Sequence, residues 1–239
     1  MNTSRRTVRI GDRFQGPTGS GQGGWTAQRF TAGIDPPVTI ALRAPVPLET
    51  DLAVVPDGDE WRLVDPAGPT TVMIARPWDP VFATTAPVPV PEAAAARRRF
   101  SELVAEHPVP SCFSCGTRHD SMRVQAGPLA DGRFATDWQP PDWAVAGDGS
   151  VDPGVLWAAL DCAAAWYVAN SGRPRLVVTA QYAVEITGRI EPDATYSLVS
   201  WAGQHPAEWD GRKRHGASAA FAADGTCVAR AASFWIALD

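Results

Sequence analysis

The pattern of apolar and polar positions divides the chain into two similar series of elements. In the first series a helix is predicted over 21–33, and apolar runs bounded by Pro, Gly and Asp then predict strands at 38–44, 51–55, 60–64 and 70–75. In the second series the predicted elements are strands 121–125 and 133–138, a helix over 152–170, and strands 175–186, 195–202, 217–222 and 228–237. Each series therefore places a helix before an antiparallel meander, which predicts an α+β fold with an internal repeat.

A proline-rich segment separates the two series. Residues 77–91 contain five prolines and predict an extended linker, and residues 92–105 have helical character. We therefore predict an N-terminal domain over 1–85, a linker and helix over 86–106, and a C-terminal domain over 107–239. A chance likeness between two helix-and-sheet units remains the alternative to a repeat.

The helix of the second series carries a single carboxylate in an apolar surrounding. Residues 155–169 read VLWAALDCAAAWYVA and are apolar on every face, so this helix is predicted to be buried. Burial of Asp161 costs several kcal/mol unless the carboxylate is hydrogen-bonded, paired or neutralised. It also raises the pKa towards the range that suits a general base. The structural alternative is an Asp that caps a neighbouring strand or pairs with an Arg across the core.

Charge and hydropathy exclude several classes of function. The 239 residues include 21 Lys and Arg against 26 Asp and Glu, a net charge of −5, and no long basic stripe predicts binding to nucleic acid. No apolar run approaches the roughly 20 residues of a membrane span. The N-terminal MNTSRRTVRIGDRF has charge but no apolar core, so we expect a cytoplasmic protein rather than a secreted one.

The four cysteines predict neither a disulfide framework nor a metal centre. Cys112 and Cys115 form one CxxC pair, but zinc needs four ligands and the sequence has no second such pair. Cys162, next to Asp161, is interpreted as a small core residue. The sequence therefore predicts that no metal is bound.

Several motifs resemble those of one enzyme family. The segment DPGVLWAALD, from Asp152 to Asp161, resembles the HGGxxxxxxD/E pattern of the hotdog-fold acyl-CoA thioesterases of the phenylacetate-degradation type. VVTAQYAVEITGRIEPDATY and DGTCVARAASFWIAL resemble the strands that follow the helix in that family, and CFSCG at 112–116 is similar to its CFVCG box. The resemblance covers 107–239, and it extends to 10–78 through the order of elements and the GQGG helix start. It implies a double hotdog, in which two antiparallel sheets each wrap around a central helix.

The resemblance also implies a reaction and a set of site residues. It makes Asp161 the base or nucleophile that cleaves an acyl or aromatic-acyl thioester. Amides and helix N-termini would bind the developing oxyanion. Independently of the resemblance, Trp25, Trp157 and Trp166 on the predicted helices are candidates to line an apolar tunnel, with core packing as the alternative. The predicted oxyanion and substrate-binding residues are Gln22, Gly23, Gly24, Gly154, Trp25 and Trp157. The implied partner is a small-molecule thioester, with coenzyme A as part of the substrate rather than a cofactor, and a homodimer of double hotdogs is compatible with the family.

Each half departs from the family pattern at a different place. Asp152 and Pro153 stand where the family has His and its first Gly, and proline has no N–H to donate. The first half keeps Gly23 and Gly24, but nine residues after Gln22 it has Thr31 instead of an acid. We therefore predict one composite site per chain, built from Asp161 and residues 22–24. A protein that binds an acyl or aromatic ligand without cleaving it is the alternative, and the sequence shows no Asp/His pair that would indicate a hydratase.

Overall fold

The protein is described by a computed structural model that covers residues 6–35, 37–68, 70–77, 82–170, 175–203 and 211–238. Four helices are found there: α1 Gly23–Thr31, α2 Val90–Arg98, α3 Phe100–Leu103 and α4 Pro153–Asn170. Part of the predicted linker, 78–81, lies outside the described residues. No helix in the described ranges is long and apolar enough to cross a membrane.

The strands belong to one antiparallel sheet. In the first half they are β1 Thr7–Arg9, β2 Val38–Leu42, β3 Asp51–Asp57, β4 Glu60–Val64 and β5 Thr71–Pro77. In the second half they are β6 Gly127–Pro128, β7 Phe134–Trp138, β8 Val177–Ile186, β9 Tyr196–Trp201, β10 Lys213–Phe221 and β11 Cys227–Ala237. Among the described residues the strand order is β1-β3-β4-β5-β2-β8-β11-β10-β9-β7-β6.

The expectation of two separate sheets is wrong. Strand β2 pairs with β8, through Ile40 with Tyr182 and Ala41 with Gln181, and this pairing joins the halves into one sheet of eleven strands. Both strands directly follow a helix, and each would otherwise leave an unpaired edge at the centre of the molecule. Because an exposed edge is a row of unsatisfied backbone groups, pairing the two edges with each other stabilises both halves.

Outwards from this join, the two halves follow the same order. In each half the strand that follows the helix lies at the join, and the last strand of that half pairs with it. The other strands then follow in reverse chain order, which gives β2-β5-β4-β3-β1 on one side and β8-β11-β10-β9-β7-β6 on the other. The approach to each helix also matches at a constant offset of 130 residues. A 3-10 turn at Asp12–Phe14 corresponds to one at Asp142–Ala144, and the bridge Gln15–Gly21 corresponds to Val145–Val151.

One hydrophobic core spans both halves and encloses α4. The prediction that this helix is buried is confirmed, since Leu156, Leu160 and Ala164 are fully inaccessible to solvent. Helix α2 lies over a second, smaller apolar cluster, in which Ala93 and Ala96 pack with residues of β7, β9 and β10. The helix predicted at 92–105 thus packs on the sheet of the second half.

Two predictions about strands are corrected. Residues 121–125 form no strand, because Arg123 takes a left-handed backbone conformation with φ of 57° that interrupts an extended run. Strand β1 was not predicted, and it pairs in register with β3 from Thr7–Ala53 to Arg9–Asp51. Its three residues are too few for a clear apolar alternation.

Candidate functional site

Asp161 lies in the middle of α4 and is 3% exposed. The other residues of α4 are apolar on every face, so this helix provides no charge to balance the carboxylate. The compensation comes instead from α1 and β8, two elements that are distant in the sequence.

Three donors surround the carboxylate. Gln22 Nε2 donates to Oδ2 across 2.6 Å, and the backbone N–H of Gly24 donates to the same oxygen across 3.1 Å. Thr179 Oγ1 donates to Oδ1 across 3.0 Å. Within the described ranges, the contacts of Asp161 are hydrogen bonds to neutral donors, and no arginine pairs with it there.

The balance of burial and hydrogen bonding fixes the protonation of this group. Desolvation by burial raises the pKa of Asp161 to about 7, and the donors Thr179, Gly24 and Gln22 oppose that rise. The carboxyl group therefore changes charge near neutral pH, where a general base works with the greatest efficiency. An exposed Asp would be fully ionised there and correspondingly weaker as a base.

Gln22 has two roles in this arrangement. Its Oε1 accepts a hydrogen bond from the backbone N–H of Trp25 and so caps the N-terminus of α1. Because the side-chain carbonyl is fixed by the cap, the amide nitrogen is turned towards Asp161. The cap of one helix thereby orients a donor to the carboxylate of the other.

Gly24 is required by the close approach of the two helices, whereas Gly23 is in ordinary contact with the site. A Cβ on Gly24 would lie 2.6 Å from the carbonyl oxygen of Trp157 and 2.9 Å from Cβ of Asp161, so a larger residue would push α1 and α4 apart. A Cβ on Gly23 would lie 3.4 Å from Oδ2 of Asp161. We expected these amides to be free for a substrate. The N–H of Gly24 instead donates to Asp161, and that of Trp25 is capped by Gln22.

Thr179 was not predicted as a site residue, although it faces the carboxylate. Strand β8 has a bulge: Phe234 and Trp235 of β11 are consecutive, but they pair with Gln181 and Thr179, so Ala180 is the extra residue. Without the bulge, Thr179 and Tyr182 would face opposite sides of the sheet. With it, both reach α4, where Tyr182 donates to the carbonyl of Trp157 across 2.7 Å. Bulges commonly re-aim side chains beside functional sites.

The position in the first half that matches Asp161 has no acidic residue. With the offset of 130 residues, Thr31 corresponds to Asp161. The hydroxyl of Thr31 donates to the carbonyl of Ala27 within its own helix. The amide of Gly154, which matches Gly24, donates to Oδ1 of Asp152 across 2.8 Å. Asp152 also pairs with Arg29. Helix α1 of the first half therefore has no buried carboxylate.

The two tryptophans lie in different surroundings. Trp25 stacks on Phe14 with ring centroids 4.0 Å apart and also contacts Phe113. Its ring lies so close to Gly154 that a Cβ there would collide with it. Trp157 packs its ring against Tyr182 and accepts the tyrosine hydroxyl at its carbonyl. Trp25 is a core residue with 4% exposure, whereas Trp157 is partly exposed next to the carboxylate.

An apolar cavity of about 380 Å³ lies one helical turn along α4 from Asp161, which does not itself line it. Its lining includes Ala165, one turn after Asp161 on α4, and Val177, two residues before Thr179 on β8. Leu103, Val104, Val109 and Leu176 supply most of the remaining apolar surface, and His107 and Arg175 add polar groups. The cavity thus reaches to within one helical turn of the site.

No protein-family model and no curated protein matches the sequence. Solved structures with a similar course of the chain include the PaaI protein of the phenylacetic acid degradation operon of E. coli, with 13% identity over 45% of this chain and 74% of that one, at a TM-score of 0.40. An acyl-CoA hydrolase from Staphylococcus aureus has 16% identity over 47% and 66%, at a TM-score of 0.40. A hypothetical thioesterase from Streptococcus pneumoniae with coenzyme A has 13% identity over 47% and 86%, at 0.40. Each of these similarities covers about half of the chain.

Proposed function

We propose that this protein is an acyl-CoA thioesterase-like hydrolase that cleaves an acyl or aromatic-acyl thioester, with Asp161 as base or nucleophile. The observation that carries the proposal is the buried carboxylate held by Gln22 and Gly24 at the start of α1 and by Thr179 on β8, two segments distant from Asp161 in the sequence. A carboxylate that served only the stability of the core would be replaced by an apolar residue at a gain in stability.

The hydrogen bonds leave one oxygen of the carboxylate available for chemistry. Oδ2 accepts two bonds, whereas Oδ1 accepts the single bond from Thr179 and keeps a second lone pair. From that lone pair Asp161 takes a proton from a water molecule that attacks the thioester carbonyl, and the C–S bond breaks to release the coenzyme A thiolate. Alternatively, Asp161 attacks the carbonyl itself, the thiolate leaves, and water hydrolyses the resulting acyl-enzyme anhydride. Thr179 fixes the direction in which Oδ1 points.

The start of α1 is suited to the charge that develops on the carbonyl oxygen. Gly23 is the first residue of the helix. A Cβ added to it would be in contact with Asp161 Oδ2, Thr179 Oγ1 and Leu42. A carbonyl oxygen at this point would meet the positive end of the helix dipole. Since the amide of Gly24 holds the carboxylate, we assign the oxyanion role to the amide of Gly23.

The cavity beside the site is suited to an apolar acyl or aromatic group. Its volume of about 380 Å³ lies within the usual range of small-molecule sites, and its lining is predominantly hydrophobic. An acyl chain there would place its carbonyl towards Ala165 and so towards Asp161. The coenzyme A moiety is part of the substrate, and the mechanism uses no further cofactor.

We further propose that the halves are two hotdog units fused in one chain, with one working site between them. The same strand order on both sides of the β2–β8 join and the constant 130-residue offset before each helix support this interpretation. The site then combines the acid of one unit with the helix start of the other. A homodimer of such chains is compatible with the fold.

A hydrolysis screen tests the proposed function. Purified protein is assayed with acetyl-, long-chain acyl- and benzoyl- or phenylacetyl-coenzyme A, with release of the free thiol as the readout and the Asp161→Asn variant as the control. Turnover that is lost in this variant supports the proposal. Saturable binding without turnover of any of these thioesters contradicts it and favours the alternative, a ligand-binding protein.

A further inference from the structure

Three buried thiols meet beside the carboxylate site. Cys112 and Cys115 come from the loop before β6, and Cys162 comes from α4, and their Sγ atoms all lie within 4.8 Å of one another. The exposures are 3%, 7% and 5%, so the cluster is enclosed by protein. All three are free thiols, and the sulfurs of Cys112 and Cys162 are 3.9 Å apart, far beyond the roughly 2.0 Å of a disulfide bond.

The spacing of the sulfurs corresponds to the edge of a zinc tetrahedron. A Zn–S bond of roughly 2.3 Å puts two sulfurs of a tetrahedral site about 3.8 Å apart. The distance between Cys112 and Cys162 already has this value, and modest side-chain rotations would bring the third sulfur to it. Soft thiolate ligands favour zinc over the hard cations Mg²⁺ and Ca²⁺.

The loop that carries the CxxC pair is shaped around the first sulfur. Backbone N–H groups of Ser114 and Cys115 donate to the sulfur of Cys112. The sulfurs of Cys112 and Cys162 are also in contact at 3.9 Å, and either thiol can be the donor. Gly116 closes the turn, since its N–H donates to the carbonyl of Cys112 across 2.8 Å and a Cβ there would lie 2.4 Å from that oxygen. Amide donors of this kind hold and orient a thiolate ligand from outside the metal's own coordination shell.

The described residues supply three ligands, so the fourth ligand of a tetrahedral site would come from outside the protein. No other described His, Cys, Asp or Glu joins the cluster. Cys115, however, also lines the 380 Å³ cavity, so a water molecule or a small thiol can reach an ion at this point. An accessible fourth position is the usual arrangement when three protein ligands hold zinc.

We propose that Cys112, Cys115 and Cys162 form a zinc site with three thiolate ligands from the protein and a fourth ligand taken from the cavity. The expectation of a metal-free protein is revised by this proposal, because it depended on a missing second pair of ligands. Cys162 supplies a third ligand from 50 residues away. The proposal does not depend on the thioesterase activity.

Cobalt titration tests the site directly. The full-length protein is purified under reducing conditions, stripped with a chelator and titrated with Co²⁺. We expect thiolate-to-cobalt charge-transfer absorption that saturates at one ion per chain and disappears when Zn²⁺ is added. Each of the variants Cys112→Ser, Cys115→Ser and Cys162→Ser should weaken binding at least tenfold. Cys227→Ser is the matched control and should bind as the wild type does, because Cys227 lies on β11 and bonds to Ala229 instead.

A second readout uses the wild-type protein alone, so it does not depend on the folding of variants. Zinc should slow the reaction of three of the four thiols with a thiol reagent by tenfold or more and leave the fourth unchanged. The absence of charge-transfer absorption, or thiol reaction rates that zinc does not change, would overturn the proposal. Equal loss of binding in the Cys227→Ser variant would also overturn it.

Discussion

Gln22 and Asp161 are 139 positions apart, yet the side-chain amide of Gln22 donates to the carboxylate of Asp161 across 2.6 Å inside the protein. The same glutamine caps the helix on which Gly24, a second donor to Asp161, is placed. The site therefore exists only when both halves are folded against each other.

Replacement of Gln22 by Ala should lower both catalysis and stability, because the side chain makes the bond to Asp161 as well as the helix cap. A hydrogen bond to a buried charged group contributes roughly 1.5–3 kcal/mol, so we expect a loss of about 10- to 100-fold in kcat/KM. The matched control is Asp152→Ala, which removes the cap of the other helix. Both variants should lose about 1 kcal/mol of stability for the cap, but Asp152→Ala should keep activity within about threefold. Equal losses of activity in the two variants would contradict a specific role for Gln22.

Asp161 should make the protein less stable as the pH rises. Its pKa is near 7 in the folded state, above the ordinary value, so between pH 4 and 7 the folded state binds more protons than the unfolded state. The free energy of unfolding therefore falls with rising pH, by about 4 kcal/mol for this group. Asp161→Asn should remove that fall and be more stable than the wild type at pH 8. Denaturant unfolding of both proteins at pH 5 and pH 8, with a chelator present, measures the difference, and parallel pH profiles would contradict the shifted pKa.

Gly24→Ala should destabilise the protein through the contact between α1 and α4. The new methyl group would lie 2.6 Å from the carbonyl oxygen of Trp157, a backbone atom, so the two helices would have to shift apart. Overpacking of this kind costs about 1–3 kcal/mol. Gly147→Ala is the control, because nothing lies within 4 Å of a Cβ there. Thermal unfolding of the two variants should separate them, and equal midpoints would show that the close approach is not needed.

The sequence predicts the secondary structure and the acid of the site better than the contacts between segments. Helix α4 and its buried Asp161 follow from an apolar run with one charge, and the glycines of α1 follow from the helix start. Thr179 could not be predicted, since its orientation depends on a bulge in β8 that is set by pairing with β11. Cys162 was likewise interpreted as a core residue, because its meeting with Cys112 depends on how a loop packs against α4. Both depend on contacts between distant segments, which periodicity does not encode.

The other half should not gain activity from an added acid. Thr31 corresponds to Asp161, but the matching amide of Gly154 is already bonded to Asp152. An aspartate at position 31 would therefore meet the carboxylate of Asp152, whereas Asp161 meets the hydrogen-bond donors of Gln22 and Gly24. We expect Thr31→Asp in the Asp161→Asn background to stay inactive, with a lower melting temperature than its parent. Recovery of hydrolysis in this double variant would show that the second position is competent after all.

The rate of thioester cleavage by the wild type and by Asp161→Asn tests the central claim most directly. The asparagine keeps the size of the side chain, and its amide oxygen can still accept from Gln22, while its amide nitrogen can only donate to Thr179. It can act neither as base nor as nucleophile. With the best substrate of the screen, at pH 8 and at equal concentrations of folded protein, we predict a loss in kcat of about 10²- to 10⁴-fold, the usual contribution of a general base. A variant that cleaves the thioester within threefold of the wild-type rate would contradict the assignment of Asp161 as the catalytic group.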